Sequence, residues 1–226
     1  KLMTKTDWNR RMVIEKTGKT PALVGPSFDW SRFAPPSTQR GSKQVVVCAM
    51  VRPSTPRRAP QMTVNILRRL LTERADAVQV RTFGCASIDP ILDPLRSHPS
   101  YRNYGELSSA EVEALMKRVD IFVDLSVYQA MGLSCLEAMA SGATVIGPVN
   151  GGLPEIVIHE ESGLLVDTRD EEQCMEACLR LVDDFDLRRR LSAAGVERTS
   201  LFFPDRPALA LAQTLFSDEA KVEARQ

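Results

Sequence analysis

A strand, a glycine-bearing loop, a helix and a second strand follow one another within residues 119–155, and this unit strongly constrains the fold. The apolar run at residues 121–125 is too short for a helix and predicts a buried strand. The helix predicted from residue 133 to residue 140 stops at Gly142, where a left-handed cap is expected, and a second apolar run starts at once. Such a unit normally forms a right-handed parallel crossover. The sequence therefore predicts an α/β fold with a parallel sheet.

The rest of the chain repeats this alternation from residue 44 to about residue 195. Apolar runs near residues 44–51, 77–83 and 163–166 predict further strands, with amphipathic helical segments between them. The expected architecture is a doubly wound, Rossmann-like, mainly parallel sheet with helices on both faces. Capping boxes are predicted where Ser108 precedes Glu111 and where Thr168 precedes Glu171. A helix beginning at residue 184 is predicted to end at Gly195.

The two ends of the chain look different from its centre. Residues 1–19 predict one charged amphipathic helix that ends near Gly18, and residues 20–36, rich in Pro and Gly, predict a connecting segment. Residues 204–226 have the propensity of a further helix. The chain starts at Lys1, which suggests a fragment of a longer protein.

Composition narrows the function classes. The 29 basic and 29 acidic residues cancel, which leaves no bulk electrostatic case for a nucleic-acid partner. No apolar run approaches about eighteen residues, so no membrane span is predicted. Five irregularly spaced cysteines do not indicate a disulfide framework and are expected to be buried, and with two histidines a zinc site is not expected.

A phosphate site is predicted in the loop that precedes the helix at residue 133. This loop lies at the carboxyl end of a strand and the amino end of a helix, where α/β folds bind ligands. The backbone N–H groups of Gly132 and Leu133 could hold a diphosphate there, although Gly132 could also be a simple turn glycine. Arg52, with Arg57 and Arg58, could bring guanidinium groups onto one phosphate. A solvated charge run is the alternative for these arginines.

Two further features fit a nucleotide. Glu137, in the early turns of the same helix, could accept hydrogen bonds from ribose hydroxyls, although its favourable interaction with the helix dipole would also explain it. The backbone of residues 104–107 could face a nucleobase.

Taken together, these motifs resemble a known family. They are the segments QAMGLSCLEAMASG (129–142), VIG (145–147), GGLPEI (151–156) and ESGLLV (161–166). They closely resemble the donor-binding, C-terminal half of the group 1 (family 4) retaining glycosyltransferases, which have the two-domain GT-B fold. The resemblance extends from about residue 23 to residue 196.

The resemblance implies a role for each matching residue. Arg52 and Arg57 would act on the leaving phosphates as the catalytic residues, and Glu137 would hold the ribose hydroxyls. The remaining donor-binding residues would approach the diphosphate, the sugar or the base; they are Gln129, Met131, Gly132, Leu133, Glu106 and Leu107. By the same resemblance, residues 1–20 match the last helix of an N-terminal acceptor domain, residues 21–36 an interdomain linker, residues 37–203 the donor domain and residues 204–226 a C-terminal crossover helix.

Two positions depart from the family pattern. Gln129 stands where the family has an acid that contacts the donor sugar, and an amide carries no charge. We expect this change to alter sugar preference rather than to abolish nucleotide binding. Val51 replaces a glycine that usually precedes the arginine, which puts a close backbone approach there in doubt.

The resemblance implies transfer of a sugar from a UDP- or GDP-sugar with retention of configuration, without an obligatory metal or other cofactor. The acceptor, a glycan or a lipid-linked sugar, would bind through the absent domain, and this half alone would be inactive. A cytoplasmic location, peripheral to the inner face of the membrane, follows only by analogy. Two alternatives remain open: a GT-B nucleotide-sugar epimerase, and a non-catalytic nucleotide-binding or scaffold module of the same descent.

Overall fold

The computed structural model describes residues 1–36 and 44–216 of the 226-residue chain. The predicted domain boundary at residue 37, the predicted start of the first long strand at residue 43 and the predicted helix beyond residue 216 lie outside these described residues. All statements about the fold concern the described part.

Eight strands are present, two of them short and close to the amino terminus. In chain order they are β1 (Met3–Thr4), β2 (Ala22–Leu23), β3 (Val45–Met50), β4 (Val78–Phe83), β5 (Tyr101–Asn103), β6 (Ile121–Val123), β7 (Thr144–Pro148) and β8 (Leu164–Val166). The last six form one sheet in the order β5-β4-β3-β6-β7-β8, and every neighbouring pair is parallel. The predicted parallel, Rossmann-like sheet is therefore confirmed.

Eight α-helices connect these strands or flank them. They are α1 (Asp7–Thr17), α2 (Pro60–Glu73), α3 (Asp93–Arg96), α4 (Ser109–Met116), α5 (Leu133–Ala140), α6 (Glu171–Asp183), α7 (Phe185–Thr199) and α8 (Asp205–Phe216). Apolar side chains of α2 and α6 pack on one face of the sheet, and those of α4 and α5 pack on the other. Both faces are thus covered, which explains why the strands read as continuous apolar runs.

The order of the strands reverses between β3 and β6. The chain proceeds outward from β3 to β4 and β5, then returns to place β6 on the other side of β3. Loops that leave the carboxyl ends of β3 and β6 therefore diverge, and a crevice opens between them, which is where open α/β sheets bind ligands. Arg52 and the loop of residues 124–132 lie at this switch point.

The amino-terminal segment differs from the predicted single helix. Residues 3 and 4 are extended because β1 pairs in parallel with β2, and α1 begins only at Asp7. Thr6 is the N-cap of α1, and the helix ends as predicted at Gly18, whose φ of 67° is accessible to glycine.

Three local predictions about helix and strand ends were wrong. The Thr168 capping box does not form: the side chain of Asp170 caps α6, and the Thr168 hydroxyl donates a hydrogen bond to the Ser126 carbonyl, 2.9 Å away. Helix α7 continues through Gly195, which lies inside the helix and packs beside the Ser162 carbonyl. Residues 101–103, predicted as loop, form the edge strand β5.

Other local predictions are confirmed. Ser108 and Glu111 form the predicted capping box, with the Ser108 N–H donating to the Glu111 carboxylate at 2.8 Å. Gly142 has the left-handed φ of 80° expected after α5. All five cysteines are buried and free of disulfides. Among the described helices, none is long and apolar enough to cross a membrane.

Candidate functional site

A cavity of about 410 Å³ opens at the carboxyl edge of the sheet, beside the switch point. Its wall draws on the connecting segment, the ends of β3 and β4, the loop before α4, and the first two turns of α5. The lining residues are Phe33, Met50, Arg52, Phe83, Gly84, Glu106, Leu107, Ser109, Val112, Ser134 and Glu137. Sequence segments separated by about a hundred residues thus form one concave site.

Four of the residues predicted from the sequence lie together in this cavity: Arg52, Glu106, Leu107 and Glu137. Gly84 permits this arrangement. Its φ of 103° is left-handed, and a Cβ added there would lie 2.8 Å from the Val51 carbonyl oxygen. The close backbone approach that Val51 put in doubt is therefore made by Gly84 on the neighbouring strand.

Glu137 is the unusual acid of the cavity. Burial removes its carboxylate from water and raises its pKa from the ordinary 4.5 to about 7, although the positive charge of Arg32 opposes the shift. Arg32 itself donates a hydrogen bond to Glu113 at 3.3 Å. A carboxyl group with this pKa is poised to gain from hydroxyl donors that enter the cavity.

The loop in front of α5 forms an anion site next to the cavity. Gly132 is the N-cap of α5 with φ 87°, and an added Cβ would lie 2.6 Å from Leu153 Cδ1. The first N–H groups of a helix lack intrahelical acceptors and carry the positive end of its dipole. Leu133 is 44% exposed, while Met131 is half-buried against the core. None of these three lines the cavity, but Ser134 of the same first turn does.

The two predicted catalytic arginines have different surroundings. Arg52 lines the cavity, where its Nε lies 3.1 Å from Met50 Sδ. Arg57 lies outside the cavity lining, and its guanidinium covers the Tyr128 ring at 5.7 Å from the centroid. The structure therefore does not bring Arg57 into the cavity with Arg52.

Arg58 occupies the more enclosed position. Its Nη1 lies 3.2 Å from Asp124 Oδ2, and only 18% of its side chain is exposed. Burial lowers the pKa of Arg58, and the carboxylate of Asp124 opposes this shift. Ala59, with φ 45°, turns the chain into α2 immediately after Arg58. Sequence reasoning grouped Arg58 with its neighbours but did not assign it, because the pairing with Asp124 is visible only in three dimensions.

Gln129 turns away from the cavity. It is 4% exposed, and its Nε2 donates to Asp124 Oδ2 at 2.5 Å and to Ser126 Oγ at 2.9 Å. Ser126 also donates its hydroxyl to Asp124. Asp124 thus joins Arg58, Ser126 and Gln129 in one buried network beneath the loop that precedes α5. An acid inside the otherwise apolar run at residues 121–125 was the sequence signal for this network.

Within the described residues, no group of three His, Cys, Asp or Glu side chains could hold a metal ion. The cationic groups that face the switch point are instead Arg52 and Arg58, together with the amino end of α5. The arrangement can bind a polyanion beside a cavity whose one deep carboxyl group suits hydroxyl donors.

Comparison with known proteins places this geometry in a family. Residues 100–198 match the family model described as glycosyl transferases group 1. A D-inositol 3-phosphate glycosyltransferase of Corynebacterium efficiens is 28% identical over 203 residues, which cover 80% of this chain and 47% of that protein. The chain therefore spans about half the length of this relative.

Solved structures share the fold. Sucrose-phosphate synthase from Thermosynechococcus elongatus matches with a TM-score of 0.81 and 21% identity, over 97% of this chain and 58% of that one. The Anabaena protein HepE, in complex with UDP-glucose, matches with a TM-score of 0.80 and 17% identity, over 95% of this chain and 63% of that one. The fold is accordingly that found in GT-B enzymes.

Proposed function

We propose, from the premise that this chain belongs to the group 1 glycosyl transferases, that it is the donor-binding half of a GT-B enzyme. The enzyme would transfer a sugar from a UDP- or GDP-sugar to an acceptor with retention of configuration. The observation that carries the proposal is the convergence of Arg52, Glu106 and Glu137 on one cavity next to the amino end of α5.

The cavity suits the nucleoside of such a donor. Its volume of about 410 Å³ lies within the range of small-molecule sites. Glu137 would accept hydrogen bonds from the ribose hydroxyls, which compensates the carboxylate for its burial. Glu106 and Leu107 would lie beside the base, with Phe33 and Phe83 contributing apolar wall.

The diphosphate would bind at the switch point. Arg52 and the N–H groups of Gly132 and Leu133 would stabilise the charge that develops on the phosphates as the sugar leaves. We assign the second cationic contact to Arg58 rather than to Arg57, because Arg58 is the enclosed guanidinium. Asp124 neutralises only part of this charge, since a guanidinium presents five donors. Electrostatic stabilisation of this kind requires no metal.

The acceptor belongs to the part of such enzymes that this chain does not span. The matched relative is about twice as long, and the matched enzyme structures are also longer. We therefore propose that the acceptor, a glycan or a lipid-linked sugar, binds through a further domain, and that the donor half alone transfers nothing. The UDP-glucose bound to HepE favours UDP as the first nucleotide to test.

A titration with nucleoside diphosphates tests the proposal. The chain is titrated calorimetrically with UDP, GDP, ADP and CDP, and the best ligand is compared with its 2′-deoxy form. We expect one ribonucleotide to bind with unit stoichiometry and the deoxy form to bind about tenfold more weakly, since a hydrogen bond to a charged group is lost. Glu137→Ala should abolish this preference for ribose. A parent chain that binds none of these nucleotides would refute the proposal.

A non-catalytic nucleotide-binding module is the second candidate, and Gln129 favours it. The family pattern has an acid at this position, whereas the Gln129 carboxamide is buried against Asp124. The two candidates differ in the full-length protein: the transferase releases nucleoside diphosphate from the donor in the presence of acceptor, and the module only binds it.

A further inference from the structure

Residues 3–23, which comprise β1, α1 and β2 and which we call the arm, contact the loops of the donor site. The sequence predicted this segment as a detached helix. The structure instead brings the amino end of α1 against two loops at the carboxyl edge of the main sheet, residues 126–132 and residues 150–155. Three kinds of contact hold it there.

The first contact is a carboxylate that caps α1 from the outside. Glu155 Oε2 accepts from the Asp7 N–H and Oε1 accepts from the Trp8 N–H, both at 2.9 Å. These are first-turn N–H groups without intrahelical acceptors, so an anion is favoured there. Arg198 fixes the backbone on the other side, because its Nη2 donates to the Glu155 carbonyl at 3.1 Å.

The second contact reaches the loop that precedes α5. The Thr6 hydroxyl, fully buried, donates to the Ala130 carbonyl at 2.7 Å, and Asn9 Nδ2 donates to the same carbonyl at 3.4 Å. Ala130 is two residues before Gly132, the N-cap of α5. The arm therefore restrains the backbone whose next N–H groups form the anion site.

The third feature is close packing where the arm meets both loops. A Cβ added at Gly152 would lie 2.3 Å from the Ala130 carbonyl oxygen and 2.7 Å from Thr6 Cγ2. The Gly152 N–H also donates to the Gln129 carbonyl at 2.6 Å. Only glycine leaves space for the three segments to meet in this way.

An aromatic contact extends the junction to the arginine loop. The Trp8 and Tyr128 rings lie 5.3 Å apart between centroids with a 31° tilt, and Tyr128 also carries the Arg57 guanidinium. The Val127 N–H donates to the Arg57 carbonyl at 2.8 Å. Arg57 thus belongs to the support of the site, which gives a role to a residue that does not line the cavity.

We propose that Glu155 and Thr6 form a latch through which the arm holds residues 129–132 in the geometry that receives the donor diphosphate. Both are positioning residues, because they act on the loop and not on the ligand. The latch rests on the proposed nucleotide site. Its specific prediction is that it supports diphosphate binding and leaves nucleoside binding unchanged, since the nucleoside cavity is built from other segments.

The test compares UDP with uridine, or GDP with guanosine if the panel selects GDP. Affinities are measured by NMR titration for the parent, Glu155→Gln and Thr6→Val. Glu155→Gln removes the charge and one of the two acceptors, while Thr6→Val is close in shape and removes only the hydroxyl. We expect a loss of about fivefold to tenfold in nucleoside diphosphate affinity for each variant, with nucleoside affinity unchanged within about twofold. Glu161→Gln, an exposed acid in the following turn, is the matched control and should behave as the parent.

Each outcome decides for or against the latch. A selective loss of diphosphate affinity in both variants supports it, and so does its appearance in Thr6→Val alone if Glu155→Gln does not fold. Equal losses for diphosphate and nucleoside would indicate a general structural defect and overturn it. Unchanged affinities in both variants would overturn the latch while the proposed function stands. A parent chain that binds no nucleotide contradicts the proposed function and the latch together.

Discussion

Replacing Gln129 by glutamate tests whether Asp124 dictates the amide at this position. The Gln129 Nε2 lies 2.5 Å from Asp124 Oδ2, and both residues are buried. In Gln129→Glu an oxygen takes the place of this donor, so two carboxylates meet where an amide and a carboxylate now form a hydrogen bond. The variant restores the acid of the family pattern, and it should nevertheless be destabilised.

The magnitude follows from the geometry. Two unit charges about 3 Å apart repel by about 5 kcal/mol at an effective dielectric constant of about 20. The pair can instead bind one proton, and at pH 7 protonation of a carboxyl with an ordinary pKa of about 4.3 costs about 4 kcal/mol, which caps the loss. The Arg58 guanidinium, 3.2 Å from Asp124 Oδ2, offsets part of it. We therefore expect Gln129→Glu to lose about 2 to 3 kcal/mol of unfolding free energy at pH 7.

The pH dependence gives the result its sign. The introduced carboxyl binds its proton more tightly in the folded chain than in the unfolded chain, so the destabilisation grows as pH rises above the unfolded value. At pH 5 the protonation cost is only about 1 kcal/mol, and a protonated pair keeps its hydrogen bond. The variant should therefore approach the stability of the parent as pH falls from 7 to 5.

Urea unfolding of four proteins provides the assay: the parent, Gln129→Glu, Gln129→Glu with Asp124→Asn, and Gln61→Glu. The double variant exchanges the acid and the amide, so it should recover to within about 1 kcal/mol of the parent. Gln61→Glu adds the same charge on the exposed surface of α2 and should change stability by less than about 0.5 kcal/mol. A Gln129→Glu variant as stable as the parent at pH 7, or one whose loss does not depend on pH, would refute the reasoning.

Three further predictions concern the site. Arg58→Ala should weaken nucleoside diphosphate binding by about tenfold or more and Arg57→Ala by less, as measured calorimetrically, because only Arg58 is enclosed at the switch point; a larger effect at Arg57 would contradict the assignment. The Glu137 pKa of about 7 predicts that nucleotide affinity rises with pH from 6 to 8 as the carboxylate forms, and Glu137→Gln, which shares the titration of the ligand phosphates, should lose this component. In the ligand-free chain the same raised pKa costs stability as pH rises from about 4.5 to about 7, so Glu137→Gln should gain stability relative to the parent at pH 8 and not at pH 4. Gly152→Ala should lose about 1 to 3 kcal/mol in urea unfolding, because its Cβ would lie 2.3 Å from the Ala130 carbonyl oxygen; an unchanged midpoint would contradict the packing.

The sheet and its ligand edge could be predicted because they rest on local patterns. Short apolar runs followed by glycine define strands buried on both faces, and the crossover rule then fixes their parallel order. The positions of Arg52, Glu106 and Glu137 after strands or at a helix start follow from the same logic. Their convergence on one cavity required only that carboxyl ends of parallel strands share an edge.

What the sequence could not show depends on pairing between distant side chains. Thr168 had the spacing of an N-cap, yet its hydroxyl bonds to the Ser126 carbonyl across the sheet edge, and Asp170 caps the helix instead. Gln129 stood at a donor-contact position, but the carboxylate of Asp124 draws it inward. The arm looked detached because Glu155, its main partner, lies far away in the sequence.

The most direct measurement is a crystal structure of this chain soaked with the nucleoside diphosphate that binds best. The account predicts ribose hydroxyls within hydrogen-bond distance of Glu137, the base beside Glu106 and Leu107, and the phosphates at the amino end of α5 between Arg52 and Arg58. Density for the nucleotide elsewhere on the chain, or a cavity that stays empty at saturating nucleotide, would contradict the account.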